Sequence, residues 1–153
     1  MTQTIHRESL FPRIDGIRKN LQKLTELSKL DFETFKSGDV YDLAQHHLRL
    51  ALEGVFHISS HILSRLPGGR AIEYRELALK MGETGVVPKE FAKNKMIHMA
   101  GLRNILVHAY ADLDARRFFI IVQNFIPNTK IGWSNAIFVY KYSVFKLNAF
   151  RFF

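Results

Sequence analysis

A chain of 153 residues is the size of a single domain built around one core. Hydrophobic residues make up 47% and charged residues 24%, an ordinary globular balance that excludes disorder throughout. With 22 Lys and Arg against 14 acids the net charge is +8, a surplus that favours a polyanionic partner such as nucleic acid. Cysteine is absent, which removes disulfide scaffolds, thiolate zinc sites and cysteine nucleophiles. The first residues carry no apolar run of the signal-peptide kind. Purely apolar stretches such as Phe118 to Val122 fall far short of the ~20 residues of a membrane helix. The expected location is the cytoplasm, with no membrane contact.

The first periodic segment runs from Ile14 through Ile17, Leu21, Leu24 and Leu27 to Leu30, one apolar stripe of an amphipathic helix. Ser37-Gly38-Asp39 supplies a break and a new N-cap. A second helix is predicted from about Asp39 to Leu66, stopped by Pro67-Gly68-Gly69. Its apolar residues cover more than one face, so it is either central in a bundle or shared with a second chain. A third helix spans Ile72 to Met81. A fourth starts with Pro88 in its first turn and continues to Val107. A fifth is expected from about Asp114 to Phe125, closed by Pro127. The methionines Met81, Met96 and Met99 read as core packing.

Beyond Pro127 the character changes. Residues 127–153 hold no acid, four cations and a high density of Phe, Tyr and Trp. Ala136 to Val144 has the composition of a strand, yet one strand has nothing to pair with in a helical chain. The division is therefore a helical domain over 1–126 and a basic aromatic tail over 127–153. The tail's mixed rings and cations fit either single-stranded nucleic acid or a docking strand.

The segment with chemical promise is Gly101 to Tyr110. On a continuous helix turning about 100° per residue, Arg103 and Tyr110 share a face, whereas His108 stands away from Arg103. Convergence of Arg103 and His108 requires a broken helix end or a second copy of the segment, which a symmetric dimer provides. A guanidinium grips phosphate through paired hydrogen bonds, and a histidine moves protons near neutral pH, so the pair suits metal-free phosphodiester cleavage. The spacing alone favours a purely structural reading, with a solvated Arg103, a His108 at a helix end and a half-buried Tyr110.

The stretch Arg103-Asn104-Ile105-Leu106-Val107-His108-Ala109-Tyr110 resembles the R-x4-H-x-Y signature of HEPN-domain toxins of the HepT type. The likeness extends to Glu73–Leu77, Gly85–Pro88, Leu113–Arg117 and the Glu53…His61-Ile62 pattern, and so covers about residues 10–126. It implies an all-α, up-and-down bundle of four to five helices that forms a homodimer, with the two motifs facing each other in a basic cleft. It implies a metal-independent ribonuclease toxin acting on RNA without a cofactor, with Arg103 and His108 catalytic and Asn104 orienting the site. Tyr110 is then the residue to which a cognate nucleotidyltransferase antitoxin transfers AMP. The alternative within the same fold is a non-catalytic subunit that binds a nucleotide or the nucleotidyltransferase. One departure is His57, at a second-helix position where relatives often carry an acid. His57 and His61, a turn apart, could grip a metal with Glu53 nearby, but no third ligand is evident and no metal site is expected. Lys89, Lys93 and Lys95 form either a solvated face or an RNA contact.

Overall fold

The computed structural model describes residues 7–125. Every regular element among them is helical. The expected tail, 127–153, lies outside the described residues. Helix α1 (Phe11–Leu27) is followed by a single turn, α2 (Phe32–Phe35), and by the long α3 (Gly38–Leu63). Then come α4 (Tyr74–Glu83), a segment over 89–108 containing α5 (Lys89–Phe91) and α6 (Ile97–His108), and finally α7 (Ala115–Phe125).

Helix α1 runs antiparallel to α3. Ser9 meets His61 at 3.4 Å, Ile17 crosses at Gly54, and the Asn20 amide oxygen pairs with His47 Nδ1 at 2.9 Å, so positions on α3 descend as those on α1 climb. Gly54 permits the crossing, because a Cβ there would stand 2.6 Å from Ile17 Cγ1. Most of the many-faced apolar pattern of α3 is buried within the chain, although Leu43 near its start stays exposed. Leu48, Leu52, Val55, Phe56, Ile62 and Leu63 are all buried, and α3 packs on α1, α4 and α6. It is the central helix. Its predicted stop is observed a few residues earlier than Leu66: a Cβ on Gly69 would lie 1.9 Å from the Leu63 carbonyl oxygen, so only glycine lets the chain fold back there.

An aromatic cluster seals the opposite end. Phe35 lies 5.9 Å from Phe118 and 4.9 Å from Phe119, and Tyr41 meets Phe118 edge-on at 5.6 Å. Thus α2, which periodicity cannot reveal in four residues, serves to insert Phe35 beneath α7. Asp31 caps it, its carboxylate accepting from the Thr34 N–H and hydroxyl. Asp114 does the same for α7, accepting from the Arg117 N–H at 2.8 Å. Met81, Met96 and Met99 are buried in the core, as the sequence reading expects.

Candidate active site

The motif lies on α6 and on the turn that ends it. The segment leading into α6 is not the single regular helix that the sequence suggests. Pro88 takes the N-cap position with φ −57° and ψ 139°, and Ala92–Met96 is wound as a π-helix before α6 begins. The wide turn sinks Ala92 and Met96 into the core and leaves Lys93, Asn94 and Lys95 exposed. Along α6, Met99, Ala100 and Leu106 face inward, while Gly101, Asn104, Ile105 and His108 form the open face.

Helix α6 stops at His108. Ala109 leaves helical geometry with φ −137° and ψ 30°, and Tyr110–Asp112 form a 3₁₀ turn. Tyr110 therefore does not share a helical face with Arg103, because the helix on which that geometry depends has ended. Its ring is 60% exposed rather than half-buried. The turn is fastened to α3 by the Tyr41 hydroxyl, which donates to the Leu113 carbonyl at 2.9 Å. Burial, and then the nearby carboxylates of Asp114 and Asp42, push the Tyr41 pKa up and keep it a protonated donor.

His108 and Asn104 line a depression of about 520 Å³ together with Ile105 and the first residues of α4, among them Tyr74 and Arg75. A second depression of about 790 Å³ adjoins it, with Arg75, Asn104 and Ile105 common to both. Lys95, Asn94 and His98 stand on that larger hollow and no acid lines it. Of the three lysines singled out by sequence, Lys95 lines the larger hollow, and all three are exposed.

Arg103 is not a solvated charge. Its side chain is only 16% exposed and turns toward α3 and α4. Nη2 lies 3.2 Å from Glu53 Oε1, and the guanidinium carbon sits 4.4 Å from the centroid of the Tyr74 ring. Nη1 makes a long contact of 3.4 Å to the Asn104 side-chain oxygen, and Nε is buried without an acceptor among the described residues. Arg103 is absent from the lining of the His108 depression. The helix end thus does not bring the pair together within one chain.

Glu53 also holds Arg49, one turn back on α3, at 3.1 Å. The acid that α3 brings to the motif is therefore Glu53, and the exposed His57 lies one turn beyond it. This carboxylate is already occupied by two arginines rather than standing ready beside His57 and His61. Among the described residues no group of three or more His, Asp or Glu is placed to hold a metal. The sequence reading missed Tyr74, Arg75 and His98 as site residues. Tyr74 and Arg75 reach the motif only through the packing of α4 on α6, which no local spacing announces.

An all-α bundle in which α6 carries Arg103, Asn104 and His108, the last two on an open hollow and the first held by Glu53, fits a helical endoribonuclease. Residues 17–131 match the family described as Ribonuclease HepT-like, and the chain belongs to that family. Over 111 residues it is 28% identical to the tRNA nuclease HepT of Aphanizomenon flos-aquae (strain 2012/KM1/D3), an alignment covering 72% of this chain and 75% of that relative. No helix among the described residues is long and apolar enough to cross a membrane.

Proposed function

We propose that the chain is a metal-independent ribonuclease toxin whose active site combines Arg103 and His108 from two copies of the helical domain, residues 1–126. The observation that carries this reading is their separation. His108 and Asn104 line a hollow, while Arg103 of the same helix is turned away to Glu53 and Tyr74. A two-fold axis beside the open face of α6 sets Asn104 and His108 of each copy against the other, and Arg103 reaches the shared hollow when phosphate draws it from Glu53. Ile105, 42% exposed at the centre of that face, is the natural contact.

In the composite site one His108 takes the proton from an RNA 2′-hydroxyl, and the 2′-oxygen attacks phosphorus. Arg103 stabilises the charge of the five-coordinate phosphorane. The 5′-oxygen leaves with a proton from the His108 of the second copy. The products are a 2′,3′-cyclic phosphate and a 5′-hydroxyl. Asn104 orients the arginine, and Lys95, with Lys89 and Lys93 on the same segment, meets the RNA backbone. The substrate class is tRNA, which the name of the Aphanizomenon flos-aquae relative supports.

Control is assigned to a nucleotidyltransferase antitoxin that moves AMP from ATP to the Tyr110 hydroxyl, releasing pyrophosphate. Exposure of Tyr110 on a turn beside His108 supports this, since the added phosphodiester brings bulk and negative charge to where RNA phosphate enters. Co-expression with a nucleotidyltransferase of the antitoxin class tests it. The expected product is an AMP-bearing chain modified at Tyr110 and inactive on tRNA, while Tyr110→Phe remains unmodified and active. Neutralisation of Tyr110→Phe by AMP transfer to another residue contradicts the assignment.

A further inference from the structure

The surroundings of Arg103 contain more than the motif. Its guanidinium stacks on Tyr74, and Tyr74 is itself backed by Phe56 at 4.9 Å, where Phe56 is fully buried. On its other side stands Glu53, whose carboxylate is divided between Arg103 at 3.2 Å and Arg49 at 3.1 Å. Neither Tyr74 nor Arg49 belongs to the R-x4-H-x-Y stretch. We propose that Tyr74 and Arg49 are positioning residues for Arg103, Tyr74 by seating the guanidinium plane and Arg49 by acting through the shared carboxylate of Glu53. The proposal rests on the reading of Arg103 as the catalytic arginine.

The two residues affect different steps. A guanidinium lying on an aromatic face keeps its N–H fork in the plane of the stack, so the ring limits the orientations from which Arg103 can meet a phosphate. Loss of the ring leaves the charge in place but unaligned, and orientation matters most in the transition state. Arg49 works on binding. An incoming phosphate must displace Glu53 from Arg103, and a carboxylate that keeps a second arginine is easier to displace than one left unpaired. Without Arg49, Glu53 belongs to Arg103 alone and the phosphate competes with a full ion pair.

Steady-state cleavage of unfractionated tRNA by the full chain separates these roles. Tyr74→Leu lowers kcat about tenfold, the scale of one desolvated cation–π contact, with KM held within roughly twofold. Tyr74→Phe retains activity because it keeps the ring. Tyr74→Met, which preserves volume against Phe56 without a π face, reproduces the loss if Tyr74→Leu fails to fold. Arg49→Gln raises KM roughly tenfold and spares kcat, and its effect vanishes in a Glu53→Gln background. Parental kcat in both Tyr74→Leu and Tyr74→Met, with Arg103→Ala inactive, overturns the role of Tyr74. An Arg49→Gln effect undiminished by Glu53→Gln overturns the role of Arg49. Parental cleavage by Arg103→Ala is a different result, and it removes the catalytic reading of Arg103 itself.

Discussion

Before Arg103 can meet a phosphate it is held by a carboxylate, and that bears on how its variants are read. Removing one partner of a buried pair usually strands the other charge. Here Arg49 remains on Glu53 at 3.1 Å when Arg103 is lost, so Arg103→Ala should keep the fold. A stability change within about 1 kcal/mol of the parent in urea unfolding is expected for Arg103→Ala and for the exposed His108→Ala, and a collapse of either would make its activity uninterpretable. His47 behaves differently. It meets the His46 ring edge-on at 5.5 Å and pairs with Asn20. Burial first, then His46 and Lys23, lowers its pKa. The unfolded chain therefore takes up that proton first, and stability falls as pH drops below about 6.5, the ordinary histidine value. Unfolding titrations of His47→Gln should show a shallower acid loss than the parent. An unchanged acid limb would remove His47 from the account.

Among the elements, the α1–α3 crossing carries the sharpest packing demand. A Cβ at Gly54 meets Ile17 Cγ1, so Gly54→Ala should cost about 1–3 kcal/mol by overpacking. Ile17→Ala removes the atoms that clash, and the double variant should be less destabilised than the sum of the two. Strict additivity would place the strain elsewhere. The long helices were legible because each holds a stripe over several turns: Ile14, Ile17, Leu21 and Leu24 are all buried as their spacing requires. The interruptions were not. A four-residue helix such as α2 has no period, and Ala92–Met96 satisfies a helical pattern whether it is wound with the regular or the wider turn. Arg103 and His108 could be picked out by their chemistry, and Asn104 only through the resemblance to the R-x4-H-x-Y signature. Their environment could not, because Glu53 and Tyr74 reach Arg103 across contacts between separate helices.

At the scale of the whole molecule, the charge of +8 divides evenly between the two segments. Residues 1–126 hold 18 cations and 14 acids, and residues 127–153 supply the remaining four cations. Bulk basicity is a weak guide to the RNA surface, and the local pattern of Arg75, Lys95 and His98 on an acid-free hollow is a better one. The composite site requires two chains of 17.8 kDa to travel together. Sedimentation should report a dimer, and Ile105→Lys should split it and abolish cleavage in the same step. A fully active monomer would exclude a site shared between copies. The most direct test of the central claim is cleavage of tRNA by the purified full chain in excess chelator, with end-group analysis and the Arg103→Ala and His108→Ala variants alongside. The account predicts 2′,3′-cyclic phosphate and 5′-hydroxyl ends from the parent, and no cleavage from either folded variant. Undiminished cleavage by either variant, or products with 3′-hydroxyl ends, would contradict it.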